Sequence, residues 1–371
     1  MTDLAVQDRP RLAISADRRS VRITFAEGAA VVAPAPWLFD NAEGAFDAGS
    51  GHRIAGAGAL DGAREVTAAR LEGEVVVATF GPGGAERRIP LSSLRPATSE
   101  PPCRDLWLDA RAVSQRLDIA CAAYLADDAV LAEALSRLLR QGIVFLTGAG
   151  TEPETVARAI GRFGYIRETN YGRLFDVRED PAAGHLAYTA VGLELHTDNP
   201  YREPVPTLQA LHVIAAADDG GESQFADAFA HAAALAATAR AKFDLLAFTP
   251  VGFAYRGPAG DRYEARAPII ETDLDDEITG VRLNHRSLRP PPPGSEATAA
   301  WYDAYLDFHR RLHAAPLARR MAPGDLVIFD NRRIVHGRSS YVGGRAARWL
   351  QGCYAERDGA LATLSRLQAG A

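Results

Sequence analysis

Leu195-His196-Thr197-Asp198-Asn199-Pro200-Tyr201 is the stretch from which the rest of the chain is read. Along an extended strand every second side chain points to the same face, so His196 and Asp198 are expected to leave together. With one distant histidine added, such a pair makes a 2-His-1-carboxylate facial triad, which grips Fe(II) on one side and leaves the other positions open. His336 is the candidate third ligand, within Asp330-Asn331-Arg332-Arg333-Ile334-Val335-His336-Gly337-Arg338, just after an expected strand. Arg348 opens the strand expected next, where a guanidinium can clamp a carboxylate through two parallel hydrogen bonds. Each residue alone has an ordinary structural explanation: a polar strand end, a capping histidine, a surface arginine. The set in this order is much more specific than any member.

Composition sets the bounds. The 371 residues exceed what one hydrophobic core usually serves, so a large domain with a smaller companion is expected. A content of 47% hydrophobic and 24% charged residues is that of a globular chain. The net charge of -6, with no Lys/Arg run, argues against nucleic acid or an anionic membrane as the main partner and leaves a small molecule. Cys103, Cys121 and Cys353 are odd in number and unclustered, which suits a reducing compartment. Met1-Thr2-Asp3-Leu4 opens no basic-then-apolar leader, and no apolar run is long enough to cross a bilayer, so a cytoplasmic location is expected.

Residues 1–98 read as a small β-rich N-terminal domain. Ser20-Val21-Arg22-Ile23-Thr24-Phe25 alternates polar and apolar, Glu74-Val75-Val76-Val77-Ala78-Thr79-Phe80 is rich in β-branched residues, and Gly81-Pro82-Gly83-Gly84 is a turn. Residues 96–102, with three prolines among small polar residues, read as a linker. Residues 104–371 form the second domain. Helices are expected over 128–140, 152–163, 231–241 and 298–313, and strands over 141–146, 208–214, 325–330 and 348–354. Few helices and many separated strands make the fold mainly β with flanking helices, a double-stranded β-helix (jelly-roll). Asp273-Leu274-Asp275-Asp276-Glu277 lacks the glycine and terminal glutamate of a calcium loop and reads as a solvated turn.

His196-Thr197-Asp198, Gly220-Gly221-Glu222-Ser223, Gly324-Asp325, Asp330-Asn331-Arg332 and His336-Gly337-Arg338 through Arg348 resemble the iron(II)/2-oxoglutarate dioxygenases. Within these, the resemblance is to the γ-butyrobetaine and trimethyllysine hydroxylase branch and its taurine-dioxygenase-like relatives. It covers most of residues 105–360, and Pro36-Trp37-Leu38-Phe39-Asp40-Asn41 resembles that branch's N-terminal domain. It implies that His196, Asp198 and His336 hold Fe(II), that 2-oxoglutarate and O2 are co-substrates, and that Arg348 and Ser223 bind the distal carboxylate of 2-oxoglutarate. It also implies a homodimer. Where that branch often carries a Cys-rich zinc cluster, this chain reads Asn41-Ala42-Glu43-Gly44-Ala45-Phe46-Asp47, and His52 alone cannot supply the ligands, so no structural zinc is expected.

The resemblance further places Tyr171, Phe175, Tyr188 and Tyr354 as aromatic walls around a trimethylammonium group. A quaternary ammonium has no hydrogen to donate, so ring faces recognise it by cation–π attraction, worth roughly 0.5–2 kcal/mol per ring. As plain core aromatics, the four would need no ligand. Leu174 stands where the pattern has an acidic support. At the other end the family holds a carboxylate with amides and a tyrosine; here His185, Asn199, Tyr201, Asn284 and Arg286 are the counterparts. An imidazole and a guanidinium there raise the positive potential and suit a phosphonate. A solvent-facing Arg286 and a satisfied loop His185 are the alternatives. The expected activity is hydroxylation of a small trimethylammonium zwitterion, 2-(trimethylammonio)ethylphosphonate, with γ-butyrobetaine giving carnitine as the alternative. A non-catalytic betaine-binding jelly-roll is the reading from another class; it needs the rings but not the triad.

Overall fold

The computed structural model describes residues 10–95, 104–109, 118–178, 192–217, 219–257, 260–294, 296–341 and 348–370. The chain divides into two units, Met1–Pro101 and Pro102–Ala371. In the first, two antiparallel three-stranded meanders, Arg11–Ile14 through Ala30–Pro34 and Val66–Glu72 through Ala85–Pro90, enclose a core of Val21, Ile23, Val76, Ala78, Phe80 and Ile89. The expected strands at 20–25 and 74–80 lie here, as Ser20–Thr24 and Val75–Phe80. The expected linker falls in residues 96–102, outside the described residues.

The second unit is a jelly-roll of two facing sheets. The larger runs in the order Phe175–Arg178, Trp349–Ala355, Leu208–Ala215, Leu326–Asp330, Ile143–Thr147, Asp118–Ala120, with Ile166–Arg167 also on Trp349–Ala355. The smaller runs Leu193–His196, Ile334–Arg338, Ser223–Asp227, Leu317–Arg319, antiparallel throughout. Alternation of side chains sorts the larger sheet into two cores. Phe145, Val327, Phe329 and Leu350 face inward to Phe225 and Ile334 of the smaller sheet. Val144, Leu146, Leu326, Ile328 and Cys353 face outward, under Leu131, Leu135 and Leu138 of the helix Asp128–Gln141. The outer face of the smaller sheet, through Leu195 and Val335, packs on the helices Ala228–Thr238, Arg240–Phe248 and Glu296–His313.

A buried ion pair locks one end of this unit. Arg333 Nη2 lies 2.7 Å from Asp227 Oδ2, and neither side chain is more than 2% exposed. Both partners are hydrogen-bonded further, and Arg333 Nε donates to Asp227 Oδ1 at 3.1 Å. Asp227 also accepts from the backbone N–H groups of Trp107, Phe229 and Ala230, capping the helix Ala228–Thr238. Arg333 also donates to the carbonyls of Arg140 and Asp105.

Three expectations on elements are corrected. The helix expected over 152–163 is shorter, Thr155–Ile160, because Glu154 takes a left-handed φ of 67°. The helix expected over 231–241 is two helices, which meet at Ala239, whose φ of -153° ends the first ladder. The strand Ile334–Arg338 was not expected, and it carries His336 within it rather than after it. Among the described residues no helix is long and apolar enough to cross a membrane. Asp273 Oδ1 accepts from the N–H groups of Asp275 and Glu277, a turn held by its own carboxylate.

Candidate active site

His196 and His336 are direct Cα partners across the antiparallel pair Leu193–His196 and Ile334–Arg338. Cross-strand partners project to the same face, and the two imidazole centroids stand 4.5 Å apart. Gly337 permits this approach: a Cβ there would meet the Leu193 carbonyl oxygen at 2.5 Å. Asp198 joins them by a different route from the one expected. The strand ends at His196, and Asp198 lies in the bend beyond it, where Asn199 has a left-handed φ of 56°. The bend is clamped by Asn331, fully buried, whose Oδ1 accepts from the Asp198 N–H at 2.8 Å and whose Nδ2 donates to the Asp198 and Pro206 carbonyls, each at 3.0 Å.

The result places one ligand atom from each of His196, Asp198 and His336 within 4.8 Å of the others. His196 Nε2 is 3.3 Å from Asp198 Oδ1, and His336 Nε2 is 3.9 Å from Oδ2. Protonation states suit metal ligation. His196 Nδ1 lies 2.8 Å from the Glu194 carbonyl, to which it donates, leaving the Nε2 lone pair free. Burial, then the neighbouring His196 and Arg286, push the His336 imidazole down to about 3 against the opposing pull of Asp198, so it is neutral. Burial opposes ionisation of Asp198, but the adjoining His196 and His336 side chains and the Tyr354 hydroxyl, which donates to it, hold it well below the usual carboxylate range. Two imidazole nitrogens and one carboxylate oxygen, facing an open cavity, fit a divalent transition metal such as Fe(II).

The cavity measures about 420 Å³ and is lined by all three ligands together with Ser223 and Arg348. Arg348 is 7% exposed, and among the described residues its guanidinium makes no hydrogen bond or ion pair; its neighbours there are Arg338 and the Tyr341 ring. Burial, then Arg338, lowers its pKa to about 10, so it stays cationic at neutral pH. A buried cation without a counter-charge is costly, and an anion entering the cavity beside it removes that cost.

The aromatic wall is continuous. Phe175 packs 5.1 Å from Tyr354 and 6.4 Å from Tyr171, centroid to centroid. Phe175 faces Gly352 across the ladder, where a Cβ would come within 2.5 Å of the ring, so the wall sits on a strand position that only glycine fits. Leu174 packs on the outer core, away from the cavity lining. His185 and Tyr188 lie outside the described residues.

Of the residues expected at the far end, Asn199, Tyr201, Asn284 and Arg286 all line the same cavity. Their grouping differs from expectation. Tyr201 is not set apart from the wall: its hydroxyl donates to Asn199 Oδ1 at 2.9 Å and accepts from the Tyr171 hydroxyl at 3.1 Å. Burial holds both phenols well above their ordinary pKa, keeping both hydrogens in place. Asn284 spends its Nδ2 on the Thr197 carbonyl at 3.1 Å. Among the described residues Asn199 Nδ2 is buried without a partner, and Arg286 makes no hydrogen bond or ion pair.

Among the cavity residues missed, two touch the expected ones directly. Tyr255, on the strand Val251–Arg256, stacks 4.9 Å from Tyr201 and lies 6.0 Å from Tyr171. Gln209 donates from Nε2 to Asp198 Oδ2 at 2.9 Å. The signal for Gln209 was a lone polar residue inside the apolar run Leu208-Gln209-Ala210-Leu211; for Tyr255 there was none, since its strand was not read as an element.

Residues 104–354 match the family described as taurine catabolism dioxygenase TauD, TfdA. The γ-butyrobetaine dioxygenase of Pseudomonas sp. (strain AK-1) is 38% identical over 248 residues, covering 66% of this chain and 64% of that protein. The human γ-butyrobetaine dioxygenase is 32% identical over 240 residues, 63% of this chain and 61% of that one. The mitochondrial trimethyllysine dioxygenase of Gallus gallus is 30% identical over 251 residues, 66% and 59% of the two chains. The chain thus matches less than two thirds of the length of each of these relatives. A crystal structure of asparagine oxygenase superposes with a TM-score of 0.50 at 20% identity, over 62% of this chain and 79% of that one, a likeness of fold. The match across residues 104–354 takes in the whole triad and Arg348, and the chain belongs to the TauD/TfdA dioxygenase family.

Proposed function

We propose that the protein is an Fe(II)- and 2-oxoglutarate-dependent dioxygenase that hydroxylates a small trimethylammonium zwitterion. The observation that carries this reading is one cavity holding the His196, Asp198 and His336 donors, an unpaired buried arginine and a wall of rings. When bound, Fe(II) with 2-oxoglutarate and O2 supplies the oxidising power that turns C–H into C–OH, with succinate and CO2 as the other products. The chain's part is to bind and orient. Arg348, with Ser223, takes the distal carboxylate of 2-oxoglutarate. Tyr171, Phe175 and Tyr354 take the trimethylammonium group, which they attract without any hydrogen bond. Holding both ends of the substrate leaves one carbon facing the metal, and that positioning is where the rate gain lies.

Within this class the substrate proposed is 2-(trimethylammonio)ethylphosphonate, supported by Arg286, a cavity-lining guanidinium with no partner among the described residues. γ-Butyrobetaine is the second reading, supported by the names of the relatives and by the free Nδ2 of Asn199, which suits a carboxylate equally. Succinate release with each compound separates them. Faster turnover of the phosphonate, lost more steeply than γ-butyrobetaine turnover in Arg286→Ala, is the expected result; equal or better turnover of γ-butyrobetaine removes the phosphonate. Binding of both compounds with no succinate formed, unchanged in His196→Ala, would instead make the protein a binding jelly-roll.

A further inference from the structure

Gln209 and Tyr354 are Cα partners across the antiparallel strands Leu208–Ala215 and Trp349–Ala355. Their side chains therefore rise from one face of the larger sheet. Both end on the same atom: Asp198 Oδ2 accepts from Gln209 Nε2 at 2.9 Å and from the Tyr354 hydroxyl at 3.0 Å. A carboxylate oxygen offers about two lone-pair sites, so these donors fill Oδ2. Oδ1 remains, facing His196 Nε2 at 3.3 Å. The Tyr354 ring, at the other end of the same side chain, stands 5.1 Å from Phe175 in the cavity wall.

We propose that Tyr354 is a positioning residue that couples the aromatic wall to the metal seat: its hydroxyl, with Gln209, reserves Asp198 Oδ2 so that Oδ1 alone is offered to the metal, while its ring contacts the cation. The inference rests on the metal reading above and deepens it. A cation seated on the ring restrains the phenol and so the carboxylate. By linkage the metal then tightens cation binding by the same factor that the cation tightens metal binding. Partners that orient a metal's ligands typically contribute about 10- to 100-fold in metal affinity.

The test is titration of the full chain with Co(II), read by its visible absorption bands, with and without γ-butyrobetaine as the cation probe. Tyr354→Phe keeps the ring and removes only the donor. Expected are Co(II) binding weakened by about 10- to 100-fold, shifted bands as Oδ2 becomes free to ligate, and loss of the tightening that the probe produces in the parent protein. Gln209→Leu weakens Co(II) binding in the same direction but keeps the probe's effect, because the phenol is still present. Tyr354→Phe that binds Co(II) as the parent does, or that retains the probe's effect, overturns the proposal. So does a loss of Co(II) affinity that appears only together with loss of the native circular dichroism signature. A parent chain that binds no Co(II) overturns the metal reading as well, whereas a parent that binds beside an unaffected Tyr354→Phe overturns this inference alone.

Discussion

Arg348 is a buried side chain to which the described residues offer no counter-charge. That separates stability from binding in a measurable way. Arg348→Met removes a buried unpaired charge and keeps the volume, so the ligand-free protein should unfold at a higher denaturant midpoint. The same change should cost about 2–5 kcal/mol of 2-oxoglutarate affinity, read by calorimetry on the metal-loaded protein. His212 makes a prediction of opposite character. It is fully buried, its Nε2 lies 2.8 Å from the Gly150 carbonyl to which it donates, and its Nδ1 has no partner. Burial depresses its pKa below the ordinary 6.5. Below pH 6.5 the unfolded chain therefore takes up a proton that the folded chain resists. Its contribution is intact above that pH and is lost as the pH falls. Denaturation at pH 7.5 and pH 5.5 should show a smaller drop in His212→Gln than in the parent.

At the level of elements, the metal seat depends on how closely two strands approach. Gly337→Ala would press a methyl onto the Leu193 carbonyl, a backbone atom that cannot swing aside, and should push Leu193–His196 away from Ile334–Arg338. Co(II) affinity should fall at least 10-fold, as for other disruptions of ligand support, with the folded far-UV spectrum retained. The same strand carries a second support: the Leu195 N–H donates to His313 Nε2 at 3.2 Å, at a register shift in the ladder. His313→Ala leaves that N–H without its acceptor and should destabilise the unit by about 1–3 kcal/mol in urea unfolding.

How far these elements were legible follows from what each depends on. Helix 128–140 announced itself by spacing, because its apolar stripe is local. The candidate triad and Arg348 stood out as ionisable residues at or near the ends of apolar runs, where such groups are uncommon. The strand Ile334–Arg338 was hidden by the charged run before it, since Arg332 and Arg333 spend their charge on Glu271 and Asp227, partners remote in sequence. Gln209, Tyr255 and Asn331 act through register and tertiary approach, and neither exists in a one-dimensional pattern. Asp198 was found for a reason that proved only partly right: the chain bends to bring it in.

Over the whole second unit, the Asp227–Arg333 pair joins the smaller sheet, the helix Ala228–Thr238, the end of Asp128–Gln141 and the segment at Asp105–Trp107. Asp227→Ala leaves a guanidinium 2% exposed with no counter-charge. A loss of about 3–5 kcal/mol is expected, spread over one cooperative transition seen equally by fluorescence and circular dichroism. Failure of the two probes to coincide would mean that the pair holds only a local corner.

Of the three candidate ligand positions, His196 and His336 lie on the smaller sheet and Asp198 in the bend just beyond it, whereas Phe175 is mounted opposite Gly352 on the larger one. A lineage descended from such a molecule can change its appetite by substituting wall residues on the larger slab, provided Gln209 and Tyr354, which reach the Asp198 carboxylate from that slab, are kept. Gly352 is then a veto on innovation: enlarge it, and the ring opposite must vacate its place before any new guest is tried.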